Sequence, residues 1–294
     1  MTLFANRSSF DPESAAFDGS IEEWCLSFLK TDDPELKLAP PQPPNIENPG
    51  KWLTPPPPPI DQEPKRPSAW HIQARSPRTP REGAFVRAEA RAQLFHTFCH
   101  HELQAAELFA WGVLRFPETP RAFRAGLIGL CQSELEHLSL YREHLERLGV
   151  KFGDQGIRDW FWQRVRTCST PQSFVALVGL GLEGANLEHS ARFARSFRNA
   201  GDHEGARILE QVERAEVGHV AFAVRWFEHF QGAPLDFDRW QACLPDPLTP
   251  STFRGKPLNR KARLRAGMNA EFLQRLEETR SDAERIAHPK ASKP

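Results

Sequence analysis

Four stretches with helical periodicity, each near thirty residues, fill the chain between Glu82 and about Gly232. They constrain the fold more than any other feature. The first is "FVRAEARAQLFHTFCHHELQAAELFAWGVLRF". The second, "TPRAFRAGLIGLCQSELEHLSLYREHLERLG", opens with Thr119 as an expected N-cap and Pro120 at the first helical position. The third, "TPQSFVALVGLGLEGANLEHSARFARSFRNAG", opens the same way with Thr170 and Pro171, and the fourth is "DHEGARILEQVERAEVGHVAFAVRWFEHF". At 1.5 Å per residue each would be about 45 Å long. Short links join the first to the second and the third to the fourth. The link between, Gly149 to Ser169, is long and holds its own helical piece, "IRDWFWQRV". The expected fold is all-α: a four-helix bundle with one long crossover, which is ferritin-like topology.

Flanking this region, residues 1–81 read as an N-terminal arm with one short helix, Ile21 to Lys30, and a proline-rich segment, "APPQPPNIENPGKWLTPPPPPI". Proline fixes an extended backbone there. Wrapping over a core is favoured over a free linker, because Trp24, Trp52, Ile60 and Trp70 would otherwise stand in water. The bundle is expected over residues 82–232. Residues 233–294 form a C-terminal extension with a basic strap and a terminal helix.

The helices carry a repeated polar device. Glu134 and His137 stand one turn apart on the second helix, and Glu216 and His219 repeat the Glu-x-x-His spacing on the fourth. Glu102 stands as far before Phe116, where the first turn begins, as Glu134 stands after Pro120, where the second helix starts. In an antiparallel hairpin they sit at one height, roughly 21 Å from the turn. The midpoint of Glu183 and Glu216 falls between Asn199 and Ala200, again at a turn. Each hairpin therefore sets a glutamate against a Glu-x-x-His, and the separation along the chain is nearly the same in both.

A glutamate from each of two helices and Glu-x-x-His from each of the other two is the donor set of di-iron and di-manganese carboxylate bundles. Glu183 follows "FVALVGLGL", where a carboxylate is expected to be buried. Four buried glutamates without counter-charge would be prohibitive, and two divalent cations would neutralise them. The expected cofactor is two Fe ions, with Mn or mixed Fe/Mn as alternatives. Glu107 and Glu188, each five residues past a ligand position and about 140° round the helix, are expected beside the ligands or at the surface. Gly179, Gly181 and Gly184 beside Glu183 point to a π-bulge, tight helix packing or a channel.

The phrases "HHELQAAEL", "RFPETPRAFRAGL", "GLEGANLEH" and "RGKPLNRKARLRAGM" resemble a bacterial ferritin-like family of unknown function, within the ferritin-like di-iron carboxylate superfamily. The resemblance covers most of the chain. It implies metal roles for Glu102, Glu134, His137, Glu183, Glu216 and His219, but no settled reaction. Peroxide-reducing relatives often append a small cysteine-rich iron domain, which this chain lacks, so electrons would come from an external donor. Tyr141, the only tyrosine, follows His137 by four residues. The same spacing occurs in the small subunit of ribonucleotide reductases, which implies a redox-active tyrosine as one reading and a packing tyrosine as the other.

Composition sets outer bounds. Lysine plus arginine equals aspartate plus glutamate at 38 each, so net charge offers no general attraction to nucleic acid or membrane. The five cysteines lack metal-clip or redox spacing, which favours reduced thiols and a cytoplasmic location. The start of the chain has no signal-peptide pattern and no stretch is apolar enough to span a bilayer. The strap "RGKPLNRKARLR" carries Arg254, Lys256, Arg260, Lys261, Arg263 and Arg265 with no acid among them. It reads as a solvated linker or an anion-binding strap, with RNA a partner by resemblance to tRNA-hydroxylating relatives. Two active classes stay open: an oxidase or oxygenase (hydroxylase-type) on a small or tethered organic substrate, and ferroxidase or iron handling. A metal-free helical interaction protein is the third class, and a homo-oligomer is compatible with each. The length of arm and extension argues against a shell-forming storage subunit.

Overall fold

The computed structural model describes residues 17–75 and 79–279. Residues 1–16, 76–78 and 280–294 of the expected arm and extension lie outside the described residues. Among the described residues the fold is all-α, with a single isolated bridge between Ile72 and Ile157 in place of any strand. The chain divides into two compact units, Met1–Arg166 and Thr167–Pro294, and each contains one helical hairpin.

In the first unit α1 (Ile21–Lys30) starts at Ser20, whose side chain closes a capping box with Glu23. A short α2 (Pro34–Leu38) follows, capped by Asp33. The proline-rich chain then runs against the hairpin of α3 (Ala88–Arg115) and α4 (Arg121–Arg147). Trp24, Trp52 and Trp70 are buried and Ile60 is half-buried, as wrapping requires. Each tryptophan removes on the order of 200 Å² from water, at most about 5 kcal/mol at 25 cal/mol per Å². Backbone bonds fix the path: the Ile60 N–H donates to the Leu114 carbonyl at 3.0 Å and the Lys65 N–H to that of Leu29 at 2.9 Å. The crossover piece appears as α5 (Trp160–Val165), packed on α3 with Trp162 edge-on to Trp111 at 5.9 Å.

Thr119 does not cap α4. The cap position falls on Pro120, and the Thr119 hydroxyl donates to the Phe116 carbonyl at 2.7 Å instead. At Thr170 the expectation holds, because Ser173 completes a capping box. The difference lies three residues on, where the first site has Ala122 and the second Ser173.

In the second unit the third helix is not uniform. It begins as α6 (Pro171–Val175), passes through a π-helical segment (Ala176–Glu183), and continues as α7 (Gly184–Asn199). Gly201, at φ 81°, turns the chain into α8 (His203–Gln231), which Asp202 caps. The extension supplies α9 (Phe237–Ala242), α10 (Arg260–Arg265) and α11 (Ala270–Glu278). Phe237, Trp240, Phe253 and Phe272 form its buried aromatic cluster.

The arm is locked to its hairpin by charge as well as area. Lys37, fully buried, uses its three donors on the Phe28 and Leu29 carbonyls (2.7 and 3.1 Å) and on Glu107 (3.1 Å). Two of those acceptors lie in the last turn of α1, where a cation suits the helix dipole. Arg66 grips Glu107 with two nitrogens at 2.6 and 2.8 Å and also reaches Asp159 at 2.8 Å. Burial alone would raise the Glu107 and Asp159 pKa values. Arg66 and Lys37 outweigh it at Glu107, and His100 and Arg66 at Asp159, so both carboxyls fall below their usual range. His96 accepts from the Gly153 N–H at 3.0 Å, which needs a neutral ring. Burial and neighbouring His100 keep its pKa at about 4.

Glu107→Gln leaves Lys37 with no acidic partner and Arg66 with one. We expect a loss of about 3–5 kcal/mol at neutral pH in chemical denaturation. A depressed carboxylate contributes stability above its unfolded pKa of about 4 and loses it as pH falls through the folded value. The gap between wild type and variant should therefore narrow below about pH 4. Lys37, whose pKa burial lowers, adds nothing in that acid window.

Candidate metal centre

Each hairpin brings its three expected ligands together in its own unit. In the first, α3 supplies Glu102 and α4 supplies Glu134 and His137. One ligand atom from each lies within 4.8 Å of the others, and all three residues are buried. His137 Nδ1 stands 3.2 Å from a Glu134 oxygen and 3.6 Å from a Glu102 oxygen. Burial, and then the Glu134 carboxylate, push the Glu102 pKa well above the usual carboxylate value.

In the second unit the π segment ends on Glu183, and α8 supplies Glu216 and His219. Their ligand atoms also lie within 4.8 Å of one another and are buried. His219 Nδ1 is 3.1 Å from a Glu216 oxygen. Asn186, one turn after Glu183, donates to the other Glu216 oxygen at 2.9 Å and accepts from Ser190 at 3.0 Å. The sequence reading overlooked Asn186. Its signal was the i+3 spacing from Glu183, on the same face of α7; the matching residue in α3 is Ala105.

The donor set fits a divalent metal. Each unit offers two carboxylates and an imidazole in an interior that penalises paired negative charge, and a cation relieves that penalty. The two Nδ1 atoms both face carboxylate oxygens, so the same ring nitrogen points toward the ligand cluster in both units.

The other candidate residues are placed differently from one another. Glu107 and Glu188 are buried, so the surface expectation fails for both; each is held by basic residues from outside its hairpin. Tyr141 is buried with its ring against Phe95 and Phe98, at 5.3 and 5.7 Å between centroids. In the second unit the corresponding contact is small on small: a Cβ on Gly179 would lie 2.3 Å from that of Ala223. Gly179 is thus required for close helix packing, and the π geometry is present as well.

Of the strap residues, Arg263 faces inward onto Glu188 and is unavailable to a solvent anion. Arg254 and Arg260 reach the backbone and side chain of Glu277. Lys256, Lys261 and Arg265 are exposed. Arg66, Lys37, Asp159 and His100 went unread in the sequence, where nothing in local spacing ties the arm to Glu107.

A chain of this class, all-α with buried Glu/Glu/His triads able to hold metal, can be placed among known sequences. It belongs to the family described as "Protein of unknown function (DUF455)", which matches residues 31–274. It is also similar to an uncharacterized protein of Haemophilus influenzae (strain KW20/Rd), 26% identical over 160 residues, covering 52% of this chain and 56% of the relative. The chain thus spans a little over half the length of that relative. No solved structure matches it. No helix among the described residues is long and apolar enough to cross a membrane.

Removing one carboxylate should separate stability from metal binding. Metal-free Glu102→Gln is expected to melt no lower than metal-free wild type, because it puts a neutral group where burial and Glu134 already disfavour a charged carboxylate. Addition of Fe(II) or Mn(II) should then raise the wild-type Tm by more than the variant's, which keeps only the Glu183, Glu216 and His219 triad intact.

Proposed function

We propose that this chain is a ferritin-like, non-haem di-iron carboxylate oxidoreductase, with manganese as the alternative metal. The observation that carries the reading is the pair of buried triads. They supply four carboxylates and two imidazoles per chain, the donor set such proteins use. Two divalent ions would bring four positive charges against four negative. Glu102, Glu134 and His137 would hold metal in one unit, and Glu183, Glu216 and His219 in the other. When bound, a reduced iron pair supplies two electrons for the activation of O2 or peroxide.

The remaining residues have supporting tasks. Asn186 fixes one Glu216 oxygen and so sets which oxygen faces the metal. All six candidate ligand residues are themselves buried, which keeps bulk water from them. The long arm and extension favour oxidase or oxygenase work on an organic substrate over iron storage, and the cysteines favour an external electron donor. The five cysteines are unpaired and dispersed, and offer no iron–sulfur clip. Tyr141 sits one turn beyond His137, where a phenol could serve as an electron reserve.

Anaerobic reconstitution with Fe(II), followed by oxygen exposure with optical and Mössbauer readout, tests the proposal. We expect about two iron ions per chain. Glu183→Ala and Glu216→Ala should each at least halve that content while helical content by circular dichroism survives. Full metal retention in both variants would defeat the assignment, and loading far above two per chain would move it to iron storage. Tyr141→Phe should keep its metal; a tyrosyl resonance after oxygen exposure in wild type alone would assign Tyr141 the redox role.

A further inference from the structure

Both ends of the π segment are held from the extension. At its start the Ala176 carbonyl accepts from the Trp240 indole N–H at 3.0 Å. At its end, the backbone N–H of Gly184 is shared between the Gly179 and Gly181 carbonyls, where the π pattern hands over to α7. The Gly184 carbonyl, one residue after Glu183, accepts from Arg263 Nη2 at 2.8 Å. The same nitrogen donates to the Phe253 carbonyl at 3.0 Å. Arg263 also grips Glu188 side-on, Nε to Oε1 at 2.9 Å and Nη2 to Oε2 at 2.7 Å.

Neither the charge nor the space at this point is casual. The Arg263 side chain is fully buried. Glu188 is completed by the backbone N–H groups of Asn259 at 2.9 Å and Gly255 at 3.2 Å. A Cβ on Gly255 would lie 2.2 Å from that of Glu188, so only glycine lets the strap approach so closely. A Cβ on Gly184 would lie 3.1 Å from Arg263 Nη1. Simple neutralisation of Glu188 would need one cation. The guanidinium fork does more, tying Glu188, the π–α junction and the strap backbone into one unit.

We propose that Arg263 is a positioning residue for the metal ligand Glu183. It holds the Gly184 carbonyl and Glu188 together and so fixes the register in which the π segment presents the Glu183 carboxylate. The inference rests on the metal reading above and gives the strap a task distinct from binding anions.

Lysine at this position keeps a positive charge for Glu188 but cannot make the fork and the backbone bonds together. The test is a titration of metal-free protein with Mn(II) alone, with free and bound Mn(II) followed by electron paramagnetic resonance, for wild type, Arg263→Lys and Gly184→Ala. Circular dichroism and Tm are measured in parallel. We expect Arg263→Lys to keep wild-type helical content while one of its two Mn(II) ions binds about tenfold or more weaker, with an altered bound-metal line shape. Gly184→Ala favours the helix by propensity but presses on the guanidinium, and is expected to weaken the same ion. It decides the matter should Arg263→Lys fail to fold. Isotherms and line shapes identical to wild type in the folded variants would overturn the positioning role and leave the metal assignment intact. Wild-type protein that binds neither Mn(II) nor Fe(II) would overturn the metal assignment and this inference with it.

Discussion

A carboxylate inside a helical hairpin must be given a positive partner, and most of this structure can be understood from how that demand is met. Each hairpin buries two glutamates five residues apart on its first helix, Glu102 with Glu107 and Glu183 with Glu188. The second of each pair is neutralised by basic residues from a peripheral segment: Lys37 and Arg66 from the arm, Arg263 from the strap. The first of each pair faces a Glu-x-x-His from the next helix. An internal cation satisfies the outer carboxylate at the cost of ordering a long peripheral segment around it. The inner set, with two carboxylates and an imidazole, has the composition of a site for an external cation.

The two halves share the ligand spacing and differ in nearly everything around it. The first helix of the first unit is regular, and its residues before the ligand are large, with Phe98 against Tyr141. The corresponding stretch of the second unit is π-helical and small, with Gly179 against Ala223. A π turn widens the helix and shifts the register by one residue, so close approach by Ala223 is compatible only with a residue lacking a side chain. Asn186 steadies Glu216, while Ala105 stands at the matching place in the other half. The same Glu, Glu and His side chains thus stand in unlike surroundings in the two halves.

The hairpins and the clustering of their glutamates and histidines were legible because their geometry is local. Height along an antiparallel pair depends only on rise per residue and distance from a short turn, so counting to Phe116 and Pro120 was enough to pair Glu102 with Glu134. The lock on Glu107 was not legible. Its partners, Lys37 and Arg66, stand far earlier in the chain, across a proline-rich path with no periodicity. Arg263 was read as one positive charge in a basic strap, since charge counts along a sequence carry no direction. The strap's glycine and guanidinium contacts depend on how a non-repetitive loop closes, which no spacing rule describes. Thr119 and Thr170 show the finer limit: both precede proline, but only the second has a residue three positions on that can answer it.

It follows that the arm and strap belong to the ligand-bearing helices in an energetic sense, and are not appendages to them. If the arm were cut away, Glu107 would be left inside an apolar hairpin without Lys37 or Arg66, and three tryptophans would lose their cover or their place. The buried side chain would then either draw in water or take up a proton, and both outcomes loosen α3 within two turns of Glu102. The strap stands in the same relation to α7 and Glu183. A hairpin with two buried carboxylates on one helix is therefore stable only as part of a longer chain, and the proline-rich composition of the arm serves that end. An extended segment of fixed φ loses less entropy on docking than a flexible one of equal length, so it can deliver Lys37 and Arg66 to one buried point.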